Sequence, residues 1–381
     1  MEIPAQFDQI RPYTDSEVPG TVARLLHDEK FRGALDSSTG KLIRSIIFMK
    51  ARKFASSADV QEGICIPMLR LLAKYRCSSF TSDWSKMDGK AENVLYMSNH
   101  RDIVLDSAFL DYVLIPEGRK AVEIAIGDNL LVKPWIEDLV RLNRSFIVRR
   151  SASASELLRS SAELSAYIRF AITEKSMPVW IAQREGRAKD SDDRTQKSVL
   201  KMLAMSGDGN VLERLRGLHI APLSISYEYD PCDWLKAKEF QLKRDCPDYV
   251  KSGADDLLSM KTGMFGYKGK VHYHASAPID RELEALDCGR PRNVLLEDAA
   301  AIIDAHIFSG YEIFPGNRVA LDLLEGGQAG LYTEKEKLKF ENYIEKQLGR
   351  IKMENPDWEF LRLKLLQMYA NPLKNQSSLQ K

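Results

Sequence analysis

Cysteine is scarce in this chain, and the few present are badly placed for a structural role. Cys65, Cys77, Cys232, Cys246 and Cys288 are odd in number, widely scattered and without the close C-x-x-C pairs of a zinc or redox centre. Reduced thiols in a cytosolic protein are the expectation. An excess of one charge is lacking too. Lys and Arg total 55 against 54 Asp and Glu, so the whole molecule has no field that would hold nucleic acid, and any basic patch must be local. Long apolar runs are missing: stretches such as "LIRSIIFM" are broken by charge well short of the roughly 20 residues a membrane helix needs. The opening "MEIPAQFDQIRPYTDSEVPG" has acidic and polar residues where a signal peptide would carry a basic start and an apolar core, so no export is expected. What the chain does have is 44% hydrophobic residues over 381 positions, enough for a large buried core.

The hydrophobic period changes along the chain. Residues 20 to 80 read as helical, as in "TVARLLHDEKFRGAL" and "IPMLRLLAKY". From about residue 92, β-rich runs alternate with helical ones. The predicted strands are "NVLYMS" (93–98), "AVEIAIG" (121–127), "SFIVRR" (145–150), "PVWIAQ" (178–183), "HIAPLSISYEY" (219–229) and "KVHYHASAPI" (270–279). After about residue 320 the sequence returns to charged helix, and the last ten residues read as a polar fray. This pattern predicts an α/β fold: a mixed central sheet flanked by helices, with helical N-terminal and C-terminal regions. The expected division is a helical region over 1–90, an α/β domain over 91–285 and a helical region over 286–381.

One stretch stands out, "MSNHRDIVLDSAFL" at 97–110. "NVLYMS" is a strand, "IVLDSAFLDYVLI" a helix, and "NHRD" the turn between them, at the carboxyl end of a strand where open α/β sheets collect their ligands. The chain has only six histidines and sets His100 here, with Asp102 two and Asp106 six residues on. If the helix starts near Asp102, His100 precedes it and folds back over the first turn. A carboxylate from that turn then holds the imidazole in one tautomer and leaves the other nitrogen to take a proton. The competing reading makes Asp102 a helix cap, Asp106 an acid favoured by the helix dipole and His100 a loop residue. The "HRD" triplet also opens the protein-kinase catalytic loop, but position 107 is Ser where that pattern needs Asn, and neither D-F-G nor G-x-G-x-x-G occurs.

Read in order, "NHRDIVLD", "SFIVRR", "REGRAK" and "HIAPLSISYE" resemble the four blocks of the glycerolipid acyltransferase family, which includes glycerol-3-phosphate and 1-acylglycerol-3-phosphate acyltransferases. The resemblance covers roughly residues 92 to 280. The connecting stretch, with Gly127 and Asn129 near its start, is also similar to the family's approach to its second block.

The resemblance implies an O-acyltransferase that moves a fatty acyl group from acyl-CoA or acyl-carrier protein to a hydroxyl of a glycerol phosphate or lysophospholipid. In that family His removes the hydroxyl proton and Asp orients the His, which assigns these roles to His100 and Asp106. Arg149, Arg150, Glu185, Gly186 and Arg187 fall where the family binds its acceptor. Guanidinium groups grip phosphate in a bidentate way. Strand alternation further makes Arg149 and Arg150 unequal. A thioester is already activated, so no cofactor and no metal is expected, and "HYH" at 272–274 reads as a pair on a sheet surface rather than a ligand set. Phospholipid biosynthesis at the cytoplasmic face of a membrane, through peripheral contact near "LLVKPWIEDLV" and Trp135 or the N-terminal helices, completes the expectation.

Two features depart from the family pattern. Five residues separate His100 from Asp106 where four are usual, so either the turn carries an extra residue or Asp102 shares the orienting role. Arg187 follows Gly186 directly, with Lys189 two further on, which leaves open which of them meets a phosphate. A same-fold enzyme using a lyso-aminolipid or sugar lipid, and a catalytically silent lipid-binding homologue, are the alternatives. Acyl chain length, carrier, sn-position and oligomeric state are not legible.

Overall fold

The computed structural model describes residues 3–39, 41–87, 93–150, 153–327 and 330–380. A seven-stranded sheet lies at its centre, built from β1 (Cys77–Asp83), β2 (Leu95–Ser98), β3 (Glu123–Gly127), β4 (Ser145–Val148), β5 (Val179–Ala182), β6 (Ile220–Tyr227) and β7 (Gly269–Ala275). Their order across the sheet is β1-β7-β6-β2-β5-β3-β4. All pairings are parallel except β6 with β7, which makes the sheet mixed as the alternating pattern predicts.

β2 is buried along its whole length because each face is covered by a different core. Leu95 and Met97 pack with Val179, Ile181 and the helices Ala154–Thr173 and Arg292–Ser309 on one side. Tyr96 and Trp180 pack with Phe109 and Leu110 of the helix Leu105–Leu114 on the other. The two-residue period therefore reads as an unbroken apolar run, as expected of a central parallel strand.

The sequence reading differs from the structure at two places. Residues 77–83 fall in the stretch read as helical, yet they form β1, which pairs with β7 at one edge of the sheet. "CSSFTSD" has a single large apolar residue, and Phe80 packs beside Phe109, Tyr112 and Tyr273, so the strand follows from its neighbours more than from its own pattern. The second is the expected polar fray. The helix Trp358–Ser378 runs into those last ten residues, with Leu373 and Asn375 buried. Asn375 accepts a hydrogen bond from Arg194 at 3.1 Å, and the Gln376 side chain donates to the carbonyl of Tyr311 at 3.0 Å. Tertiary hydrogen bonds order what composition alone reads as solvated.

Between β6 and β7 the chain inserts two helices, Asp233–Asp245 and Gly253–Phe265. They bear on the site because the second lies over the turn that follows β2. A Cβ built on Gly263 would meet Asp102 Oδ2 at 1.9 Å, so that turn is approached by bare backbone. Among the described residues, no helix is long and apolar enough to cross a membrane.

Candidate active site

β2 ends at Ser98, and the next residue stands in for a missing rung of the ladder. The Asn99 amide donates to the Ile225 carbonyl at 2.9 Å and accepts from the Ile225 amide at 2.8 Å. β6 stays satisfied while the main chain of β2 is free to turn away. The following helix begins at Leu105, three residues beyond Asp102, so residues 99–104 form a non-helical loop. In that loop His100 folds back over the first turn of the helix.

The carboxylate it meets is that of Asp106. His100 Nδ1 lies 2.8 Å from Asp106 Oδ2, and the same oxygen accepts the main-chain amides of Arg101 at 2.7 Å and Asp102 at 3.0 Å. Tyr227, from β6, donates to Asp106 Oδ1 at 3.3 Å, and Tyr273 donates to the Asp106 carbonyl at 3.0 Å. Asp106 is buried and His100 half-buried, its ring edge-on to Trp180 with centroids 5.9 Å apart. Asp102 does something else: its Oδ1 caps the amides of Val104 and Leu105 at 2.9 and 2.8 Å. Burial, and then the Asp106 carboxylate, push the Asp102 carboxyl above its ordinary range. The extra residue is taken up by the loop, and Asp102 shares none of the contact with the imidazole.

His100 opens onto a cleft of about 1770 Å³ that also takes in Arg149, Arg150, Glu185, Gly186 and Arg187. The structure thus gathers every residue assigned by resemblance except the buried Asp106 in the lining of one cleft. The predicted strand over 145–150 ends at Val148, so Arg149 and Arg150 lie beyond it, strand alternation does not set them on opposite faces, and both reach the cleft with different partners. Arg149 lies 3.9 Å from Glu163 and bonds Gln9. Arg150 stands 3.7 Å from the exposed Glu185. Gly186 has φ +67° with nothing crowding its α-carbon, so glycine is favoured there by backbone conformation. Arg187 holds its NH1 buried without a hydrogen bond among the described residues. Lys189 is tied to Glu239, and burial pushes its ammonium below the usual lysine range.

Two residues that sequence reasoning passed over sit in the same place. Asp193 is wholly buried and accepts the His100 main-chain amide on Oδ2 at 2.8 Å. Arg184, at the end of β5, lines the cleft beside it. The alignment of β5 with β2 brings Arg184 here, and the loop that follows β5 brings Asp193. His272 and His274 both face β1, with Nδ1 2.9 Å from Thr81 Oγ1 and 3.1 Å from Asp83 Oδ2 respectively, but His274 is buried, so the expected sheet-surface pair holds for His272 alone. No group of three or more metal-ligating side chains occurs among the described residues.

A His held by a buried carboxylate in a strand-to-helix loop faces a cleft rich in guanidinium groups, an arrangement with the chemistry to take up a proton beside a bound anion. Residues 83–226 match the model of the family described as Acyltransferase. No curated protein matches the chain. Among solved structures, the crystal structure of the 1-acyl-sn-glycerophosphate (LPA) acyltransferase PlsC from Thermotoga maritima is similar at 14% identity and a TM-score of 0.37, covering 76% of this chain and 95% of that one.

Proposed function

We propose that the chain is an O-acyltransferase that carries a fatty acyl group from the thioester of acyl-CoA or acyl-carrier protein to a hydroxyl of a glycerol phosphate or lysophospholipid. The observation that carries this reading is the His100 to Asp106 contact at the mouth of a basic cleft. With Nδ1 engaged by Asp106, the Nε2 nitrogen is the one left to accept a proton. A hydroxyl is a poor nucleophile at neutral pH, and a positioned base contributes about 10²–10⁴ in rate.

In the reaction His100 Nε2 takes the acceptor's hydroxyl proton as its oxygen bonds to the thioester carbonyl carbon. The carbonyl π electrons move to oxygen. Collapse then breaks the C–S bond, and His100 returns the proton to the departing thiolate. The Asp106 carboxylate steadies the imidazolium; its three hydrogen bonds on one oxygen and one on the other hold it in place. Arg150 and Arg187 supply the guanidinium groups for the acceptor phosphate. Arg187 is favoured over Lys189 because its NH1 has no partner among the described residues, whereas Lys189 is committed to Glu239.

The acyl chains require an approach from a lipid surface. Val132, Leu157, Leu158, Val250 and Leu258 are exposed apolar side chains, and Leu157, Val250 and Leu258 also line the cleft. They suit this contact better than Trp135, which packs against Phe31 with ring centroids 5.8 Å apart.

The test is mass spectrometry of products made by purified protein from acyl-CoA or acyl-carrier protein with glycerol phosphate, lysophosphatidate and neutral lipid acceptors, with His100→Ala as control. Acylation of a phosphorylated acceptor that disappears in His100→Ala is expected. Thioester turnover that persists in His100→Ala overturns the assignment, and acylation of neutral acceptors alone removes the phosphate.

A further inference from the structure

Resting on that reading, the geometry points to Arg184 as the residue that stabilises the negative charge arising on the thioester carbonyl oxygen, with Asp193 positioning it against His100.

Sheet register carries the argument. β2 and β5 are adjacent and parallel, with Ser98 opposite Ala182. The ladder continues one step further, the Gln183 amide donating to the Ser98 carbonyl at 2.8 Å. Two residues beyond that aligned pair, along the two chains, come His100 and Arg184. Side chains alternate within β5, so Trp180 and Ala182 share one side, and Arg184, two residues past its end, lines the same cleft while Gln183 is buried. Trp180 is the residue whose ring meets His100, and Trp180, Ile181, Ala182, Arg184 and His100 all line the cleft, whereas Gln183 is wholly buried.

A buried carboxylate then joins the two. Asp193 Oδ2 accepts the His100 amide at 2.8 Å, and Asp193 Oδ1 lies 4.0 Å from Arg184 NH1. That second separation is too long for a hydrogen bond. Neither Asp193 Oδ1 nor Arg184 Nε has a hydrogen-bond partner among the described residues. The carboxylate orients the guanidinium electrostatically without consuming its donors, and the side chain keeps 25% of its surface exposed.

Distance separates this role from phosphate binding. Arg149 and Arg150 follow β4, three strands from β2 in the sheet order, or about 14 Å at the usual strand spacing. Arg184 follows the adjacent strand, about 5 Å away. In acyl transfer the oxyanion forms on the carbon that the hydroxyl attacks, so it arises one bond from the oxygen whose proton the base removes. A cation flanking the base meets that charge in the transition state and little of it in the ground state, which is the condition for raising kcat. The acceptor's phosphate is further from the reacting carbon and suits Arg150, which follows β4, and Arg187, three residues further along the chain than Arg184.

The experiment compares wild type, Arg184→Gln and Arg184→Lys in steady-state acyl transfer, each with a phosphorylated and an unphosphorylated hydroxyl acceptor, alongside thermal melting. Arg184→Gln should lower kcat by about 10²–10³, by the same factor for both acceptors. KM values should stay within about threefold and melting should be unchanged, and Arg184→Lys should recover part of the rate. A kcat within threefold of wild type in Arg184→Gln overturns the inference. So does a loss confined to the KM of the phosphorylated acceptor, which would make Arg184 a phosphate ligand, or a loss in both variants that tracks lowered melting. A wild-type protein that transfers no acyl group to any hydroxyl removes the parent reading and this one with it, whereas an active wild type with an unimpaired Arg184→Gln removes this one alone.

Discussion

Asp106 Oδ2 receives three donors at once, the His100 imidazole and the main-chain amides of Arg101 and Asp102, all within 3.0 Å. One oxygen therefore fixes both the loop and the ring it carries. Asp106→Asn should keep the loop roughly in place but disturb the imidazole tautomer, because the amide has only one oxygen and its nitrogen donates. A fall in kcat of about 10²–10⁴ is expected. Asp102→Asn, which changes a helix cap, should retain most turnover. Thioester-release kinetics on the two variants check this, and the reverse ranking would move the orienting role to Asp102.

Arg187 and Lys189 should separate in the same assay. Arg187→Ala removes a guanidinium with an uncommitted nitrogen, and losing one charge-assisted hydrogen bond costs about 1.5–3 kcal/mol, roughly tenfold to a hundredfold in kcat/KM for a phosphorylated acceptor. Arg187→Lys should restore part of it. Lys189→Ala should cost less, since its ammonium serves Glu239, which keeps Lys243 at 3.3 Å. Equal effects of the two alanine substitutions would count against a phosphate grip at Arg187.

The helix Gly253–Phe265 rests on Asp102 through Gly263. Gly263→Ala puts a methyl group where Asp102 Oδ2 lies, and overpacking of this kind costs about 1–3 kcal/mol. Because Asp102 is held by the Val104 and Leu105 amides, it cannot swing aside freely. The Gly263→Ala/Asp102→Ala double variant should lose less stability than the two single changes added together. Chemical denaturation measures this, and strict additivity would show that the two residues do not press on each other.

Stability should fall as pH rises through the weakly acidic range. Asp111 is buried, with Oδ1 accepting the Val122 amide at 2.8 Å and Oδ2 accepting from Gln61 at 3.4 Å. Burial lifts its carboxyl from an ordinary 3.8 to about 7, against the opposing effects of the Val122 amide and Arg144. The folded state thus holds a proton that the unfolded chain releases, so the contribution is full below the unfolded value and is lost as pH climbs towards about 7. The slope for one such group is at most about 1.4 kcal/mol per pH unit. Asp111→Asn, which cannot titrate, should show a flatter curve in urea denaturation between pH 4 and 7. Parallel curves for wild type and variant would refute the assignment.

Membrane contact is tested by vesicle flotation. Binding should strengthen with anionic lipid, weaken with salt, and fall when the exposed Leu158 or Val250 is replaced by Glu. Replacement of Trp135, packed on Phe31, should lower stability more than binding. If the Glu variants float as well as wild type, the lipid contact lies elsewhere.

Much of this protein is determined by local sequence. Six of the seven strands are visible because their apolar runs are continuous or alternate with period two, a property each strand carries by itself. His100 is conspicuous for the same reason, since a strand, a polar turn and a helix in succession put it at a carboxyl end. What the sequence leaves open is whatever depends on partners distant along the chain. β1 is a strand because β7 and an aromatic cluster receive it, and the polar C-terminal residues are helical because Arg194 and Tyr311 bond to them. The choice between Asp102 and Asp106 turns on where the helix starts, which Tyr227, Tyr273 and Gly263 help fix from three other elements. Arg184 and Asp193 come near His100 because β5 lies beside β2, more than 80 residues earlier, and the loop after β5 folds back to the His100 amide. Periodicity specifies which face of an element is buried; it carries no information about which strand lies alongside, and in this site Arg184 follows the strand that lies next to the one leading to His100.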